Sequence, residues 1–460
     1  MKKILYLFLF TAFLGFVACS DSDDDIKLQD ITVNFASVEL GIDKDKTSQD
    51  VTINLSRKAE SAIDVTIALT ANGVEYAADF TTNPAAANNT LKVNIPAGST
   101  SASFKVSKVE SALFEGAETL GFEITSISIT DGVKIGDKKT ATLTFGAILS
   151  NGGVLTLEGK VGDVAYANSV YVDFSSNTQS AIDRKSWDLG FYCGSDFRVV
   201  LNGAYATTAT ASTKTDITAV TLADANDVID IGATAMANPG LSVDAIDSFD
   251  GDITKTVFAS ISATDSENKV YFVASEANKA SRDQWYKVKV SRKGEGYSVQ
   301  YGKVGETSIK TVEITKNSEY NFTFLSLEKG TVATVEPEAK KWDIMWSYYV
   351  GSTSGKPYFM QDMIMSNNVG GVETAEVLTS TVSYENFKEA NLDGITFSDS
   401  RNVIANNWRS TQPATGVKKD RFYIVKDPNG NYYKLKFNKM GLASDGGDRG
   451  RPEIEYALIK

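Results

Sequence analysis

The 460-residue sequence has no histidine. That removes Ser/His/Asp triads and Cys–His pairs, and with them histidine-ligated zinc and the commonest general base. Two-carboxylate hydrolysis survives the exclusion, but no spacing of Asp and Glu singles out such a pair, so the chain reads as non-enzymatic. Cysteine is nearly absent too, with two residues. Cys19 follows the apolar run Ile4–Ala18, and Cys193 sits in the apolar stretch "LGFYCGS". Without a histidine to activate it, Cys193 is expected to be a buried, inert thiol. Basic residues are in deficit, 46 against 58 acidic, for a formal net charge of −12, which argues against nucleic acid, a ligand that needs clustered Lys and Arg. Long helical amphipathic patterns are missing as well.

What is present begins with an address. Lys2 and Lys3 precede the apolar run Ile4–Ala18, which is long enough for a signal-peptide core and short for a membrane span. "FVAC" resembles a bacterial lipobox. The resemblance implies cleavage after residue 18, lipidation of Cys19 by several acyl chains, and anchorage in the outer membrane. The acidic run "SDSDDD" in the tether 19–29 resembles an export tag of surface-exposed lipoproteins.

From Ile31 to Phe145, short segments alternate apolar and polar residues at period two: "ITVNFASVEL", "DVTINLS", "IDVTIAL", "LKVNIPAG", "SASFKVSKV", "TLGFEITSI" and "TATLTF". Seven strands with regular turn signals predict an antiparallel β-sandwich over 30–147, closed by the Gly/Asn break Ala147–Val154.

The remaining sequence is written twice. "RKSWDLGFYC" begins at Arg184 and "KKWDIMWSYY" at Lys340. Trp187 is followed 84 residues later by Tyr271, and Trp342 81 residues later by Tyr423. Each copy continues with a turn, a "YK-aliphatic-K-apolar" strand and a last strand containing tyrosine. Two long copies predict tandem globular domains at 154–304 and 305–460 rather than a solenoid. Trp187 and Trp342 are expected as core anchors. Asp188 and Asp343 are expected to face the other way and bond a neighbouring backbone or basic group. Asn429-Gly430 predicts a type I′ hairpin turn. The fold class expected is all-β, three tandem antiparallel sandwich-type domains.

Two family resemblances follow from these residues. "EYAADF", "IPAGSTSASFKV", "FEGAETLGFEI" and "IGDKKTATLTF" resemble a Calx-β domain. The resemblance implies calcium at one sandwich end, with Glu39, Asp79, Glu110 and Glu115 as candidate ligands. "WDLGF" and "WDIMW", with "VYFV…WYKVKV…GYSVQY" and "FYIVKDPNGNYYKLKF…EIEYALI", resemble the HmuY family of haem-binding surface lipoproteins. That resemblance implies haem capture and transfer to an outer-membrane transporter, with host haemoproteins as a source.

Bis-histidine ligation is excluded here, which leaves thioether or phenolate as axial ligands. Met360, Met363, Met365 and Tyr358 in "YFMQDMIMSNN" are the candidates. Strand alternation puts Met363 and Met365 on one face and Met360 on the other. The alternative function is a surface adhesion or glycan-binding protein in which Tyr348, Tyr349 and Trp408 stack on sugars.

Overall fold

A computed structural model of the chain describes residues 29–228, 231, 242–353, 356–411 and 413–460. Cys19 and its preceding apolar run lie outside the described residues, as does most of the acidic tether. The chain divides into two compact units, 1–148 and 149–460. Nearly every regular element is a strand, as the alternation predicts.

The first unit is a two-sheet sandwich. One sheet orders Phe80–Asn83, Ser101–Lys108, Ser48–Leu55, Ile31–Phe35 and Val133–Ile135. The other orders Glu39–Ile42, Thr140–Phe145, Thr119–Ile127, Ile63–Asn72 and Thr90–Ile95. The alternating apolar residues of both sheets meet in one core that includes Val33, Ile53, Ile67 and Leu143, all fully buried. The stretch "ITVNFASVEL" is not one strand. It breaks between Phe35 and Glu39 and switches sheets, and its two halves make the two parallel pairings of the sandwich.

The second unit holds both copies of the repeat, and here the expected boundary at 304/305 is wrong. It falls between Gly296–Lys303 and its antiparallel neighbour Lys310–Ile314, inside a sheet. The first repeat runs on to about residue 336. Its Trp-Asp strand Leu189–Tyr192 is flanked by Val199–Leu201 and by the returning strand Phe322–Ser326, which pairs with Thr331–Ala333. Its second sheet orders Thr208–Ala211, Val270–Ala274, Tyr286–Lys293, Gly296–Lys303 and Lys310–Ile314.

The second repeat has the same nine strands, but the chain ends before the last three. They come from the start of the unit. Asn168–Asp173 pairs with the Trp-Asp strand Ile344–Thr353 and with Thr178–Asp183, while Gly152–Thr156 pairs with the terminal strand Glu453–Leu458. Residues before the first repeat therefore close the second. This is why two copies form one compact unit rather than tandem domains. Sequence similarity gives the length of a repeat but not its phase. Strand pairing sets the phase.

The repeated Trp-Asp motif is the closure device. Asp188 N–H donates to Leu325 O (2.9 Å), and its carboxylate accepts from Leu327 N–H (2.7 Å). Asp343 makes the same pair of bonds to Val172 O (2.7 Å) and Phe174 N–H (2.8 Å). Each aspartate thus clamps its Trp-Asp strand to the returning hairpin, a charge-assisted bond in a buried place. Asn202 and Asn367 complete the symmetry by donating to Trp187 O and Trp342 O.

The hairpin at Asn429-Gly430 forms with a different turn. Gly430 N–H bonds Asp427 O (3.1 Å), and only Gly430 of the pair takes a positive φ, 91°. Pro428 fixes its own φ near −65° and so occupies the second position of a type I turn, which displaces the expected type I′ geometry.

Candidate ligand cavity between the repeats

The methionine-rich strand Lys356–Ser366 does not keep its alternation. Met363 stands opposite Ser347 and Met360 opposite Tyr349, so this strand carries one residue more than its partner. The extra residue is a β-bulge in which Asp362 takes a φ of 55°. Met360 is thereby turned to the face of Met363 and Met365. All three join Met345, Trp187, Trp342, Tyr171 and Tyr349 in one buried cluster. The expected split of the methionines is overturned by that single inserted residue.

Polar contacts pin the bulge from several elements. The Asp362 carboxylate is fully buried, pairs with Arg449 (2.6 Å) and Arg409 (3.9 Å), and accepts from the Tyr166 hydroxyl (3.2 Å). Trp408 Nε1–H donates to Asp362 O (3.0 Å). Burial pushes this carboxyl up, while the two guanidinium groups pull it down.

Beside the methionine cluster lies a cavity of about 100 Å³, walled by both repeats. Trp187 packs edge-on against Phe324 at 4.6 Å, and Trp342 against Tyr171 at 5.0 Å. These two pairs are equivalent positions of the repeat. Met345 and Met365 reach the wall, and the loop Asp247–Thr256 contributes to it.

Three ionisable groups stand among these apolar walls. Glu336 accepts from Phe322 N–H (2.9 Å), and burial lifts its carboxyl to about 8, so it is neutral at pH 7. Burial lifts Asp247 to about 6 against bonds from Leu201 N–H (2.6 Å) and Val257 N–H (2.9 Å). Arg401 donates to the Tyr349 hydroxyl (3.1 Å) and to Phe249 O and Ser248 O, holding that loop in place. The Trp342 indole N–H and the Ser366 hydroxyl line the cavity and have no hydrogen-bond partner. Sequence patterns did not reveal Glu336, Asp247 or Arg401. All three come from irregular segments whose place depends on the closure of the repeats.

The haem candidates are placed unequally. Met363 is 0 % exposed, Met365 2 % and Met360 6 %, and Tyr358 is half-buried at the edge of the cluster. Among them only Met365 touches the cavity. A cavity of this size is below the several hundred Å³ of drug-sized ligand sites, so a porphyrin does not fit it as it stands.

Of the aromatic residues expected to bind sugars, two are core and Tyr348 is half-buried against it. Trp408 is fully buried, Tyr349 nearly so, and Tyr348 stacks on Phe359 at 3.8 Å. Cys193 is buried, with its thiol 3.4 Å from the Thr323 hydroxyl.

In the first unit, Asp79 accepts from Glu75 N–H (2.8 Å), while Glu39 and Glu110 are exposed. The "EGAE" stretch closes on itself, because the Glu118 carboxylate accepts from Glu115 N–H (3.0 Å) and Gly116 N–H (2.8 Å). Among the described residues, no group of three or more His, Cys, Asp or Glu side chains is placed to hold a metal ion, so Glu39, Asp79, Glu110 and Glu115 are not gathered into one. No described helix is long and apolar enough to cross a membrane.

Comparison with known proteins gives one family. A family model described as HmuY protein matches residues 165–456. No curated protein matches the chain. Among solved structures, the apo-form Calx CBD1 domain is 14% identical, with 26% of this chain and 97% of that chain covered and a TM-score of 0.22. A two-domain protein of unknown function from Bacteroides fragilis is 9% identical, with 43% and 74% covered and a TM-score of 0.20. At these TM-scores neither likeness bears on function.

Proposed function

The chain belongs to the HmuY family, and from that membership we propose that it is a non-enzymatic ligand-binding protein that captures haem or a related porphyrin without histidine. The observation that supports this reading is the inter-repeat cavity, where paired tryptophans and the thioethers of Met345 and Met365 converge. The seat is apolar and aromatic, as a macrocycle requires, and thioether sulfur is an established axial ligand. The cavity as it stands is too small, so capture requires the loop Asp247–Thr256 to move aside. Arg401 and Asp247 are the groups that fix this loop.

In this reading Cys19 anchors the protein in the outer membrane at the cell surface, the N-terminal sandwich is a spacer without calcium, and an outer-membrane transporter receives the ligand. The test is a titration of the chain from Ser20 onward with ferric haem, ferrous haem and iron-free protoporphyrin, followed in the Soret region. A saturable, shifted haem band that weakens at least fivefold in Met365→Ala is expected. Featureless absorbance in both redox states overturns the reading.

A further inference from the structure

The two repeats carry the same pair of tyrosines. Tyr286 and Tyr301 lie 6.2 Å apart at 63°, and their counterparts Tyr433 and Tyr456 lie 6.1 Å apart at 66°. The surroundings of the two pairs differ. In the second repeat, the ring of Phe174 packs on both tyrosines, at 5.5 Å and 4.6 Å, and Asn177 accepts from the Tyr456 hydroxyl. In the first repeat, the residue clamped by the equivalent aspartate is Leu327 rather than Phe174. Gly330, with a φ of 69°, stands where Asn177 has a φ of 54°. The Tyr301 hydroxyl has no hydrogen-bond partner, although the residue is 1 % exposed. A longer loop, Ser275–Trp285, replaces the short Asp427–Asn431 turn. The result is an open cleft of about 500 Å³ beside the first tyrosine pair, within the size range of small-ligand sites.

We infer that this cleft is a second binding site and that its ligand class is a neutral carbohydrate ring. Tyr286, half-buried, supplies aromatic surface on which the C–H face of a pyranose stacks, and Tyr205 lies in the same wall. The rest of the wall mixes acceptors and donors. Asp188 and Glu328 are carboxylates, Asn278 and Gln284 are amides, and Lys303 is an ammonium. A polyhydroxylated ligand uses both kinds at once.

Charge argues against other ligand classes. Asp188, Glu306 and Glu328 outnumber Lys303 and Lys310, which disfavours an anion. Lys303, 4.2 Å from the centre of the Tyr286 ring, and Lys185, 5.6 Å from that of Tyr205, place positive charge beside both rings, which repels a ligand ammonium. The site is separate from the cavity between the repeats, and it does not depend on haem binding.

The experiment titrates the chain from Ser20 onward with the methyl glycosides of glucose, galactose, mannose and N-acetylglucosamine, and with choline, by saturation-transfer NMR. At least one glycoside is expected to bind saturably. Ala277→Trp fills the cleft from an exposed loop position, and it should weaken binding at least tenfold while leaving the haem titration unchanged. Glu328→Gln, also exposed, should weaken binding severalfold, which guards against misfolding of the tryptophan variant. Absence of saturable glycoside binding overturns the inference, as does unchanged affinity in Ala277→Trp. Saturation by choline without any glycoside overturns it as well.

Discussion

The two repeats of the second unit share a skeleton of nine strands, a Trp-Asp clamp and a tyrosine pair, yet one is packed shut and the other is open. In the second repeat Phe174 and Asn177 satisfy the tyrosines, so that copy gains a continuous core from Leu157 to Tyr456. In the first, Leu327 and Gly330 leave a cleft. The difference rests on two positions of the closing hairpin, which follows the other strands in the first repeat and precedes them in the second, and on the longer loop Ser275–Trp285 of the first.

The largest expected effect comes from breaking the closed copy. Phe174→Ala removes a fully buried ring from between two tyrosines and should cost about 3–5 kcal/mol in urea unfolding. Leu327→Ala in the open copy should cost less, because a side chain beside an existing cleft leaves a smaller new void. Equal losses would mean that the two tyrosine pairs do not differ in packing.

A second effect is set by pH and belongs to the cavity between the copies. Glu336 has a folded pKa of about 8 against an ordinary 4.5, so the folded state holds a proton that the unfolded state has released between those values. Stability from this group is fully present below about pH 4.5 and is lost as pH rises through 8. Asp188 and Asp247, both lifted to about 6, act in the same direction at lower pH. Melting temperatures from pH 6.5 to 8.5 should therefore fall in the wild type and stay nearly level in Glu336→Gln. Parallel slopes would show that Glu336 is ionised throughout.

The smallest effect sharpens the comparison. Gly330→Asn installs the second repeat's residue in the first, at a φ that asparagine tolerates. It offers the Tyr301 hydroxyl a partner, and a net gain near 1 kcal/mol or less is expected from thermal unfolding. The phenol must give way slightly, since a Cβ there meets its oxygen at 2.6 Å. A loss of more than that amount would show that the neighbouring strands cannot make the adjustment.

Much of this was legible in the residues. Alternation at period two predicted the sandwich, and the doubled motif predicted the repeat and the burial of Trp187 and Trp342. The type of the Asn429-Gly430 turn was misread because Pro428 outranks the pair's own preference. The face of Met360 was misread because a bulge adds one residue without changing composition. The site residues Glu336, Asp247 and Arg401 had no local signature at all.

The sequence by itself determined that the chain is all-β, that it is duplicated after a sandwich, and that histidine chemistry is absent, because alternation, repetition and composition are local properties. The tertiary structure alone decided that residues 150–183 close the second repeat, that three methionines share one face, and that a cleft lies beside the first repeat's tyrosine pair. These outcomes depend on which strand hydrogen-bonds to which, and a strand's pattern specifies its buried face but not its neighbour.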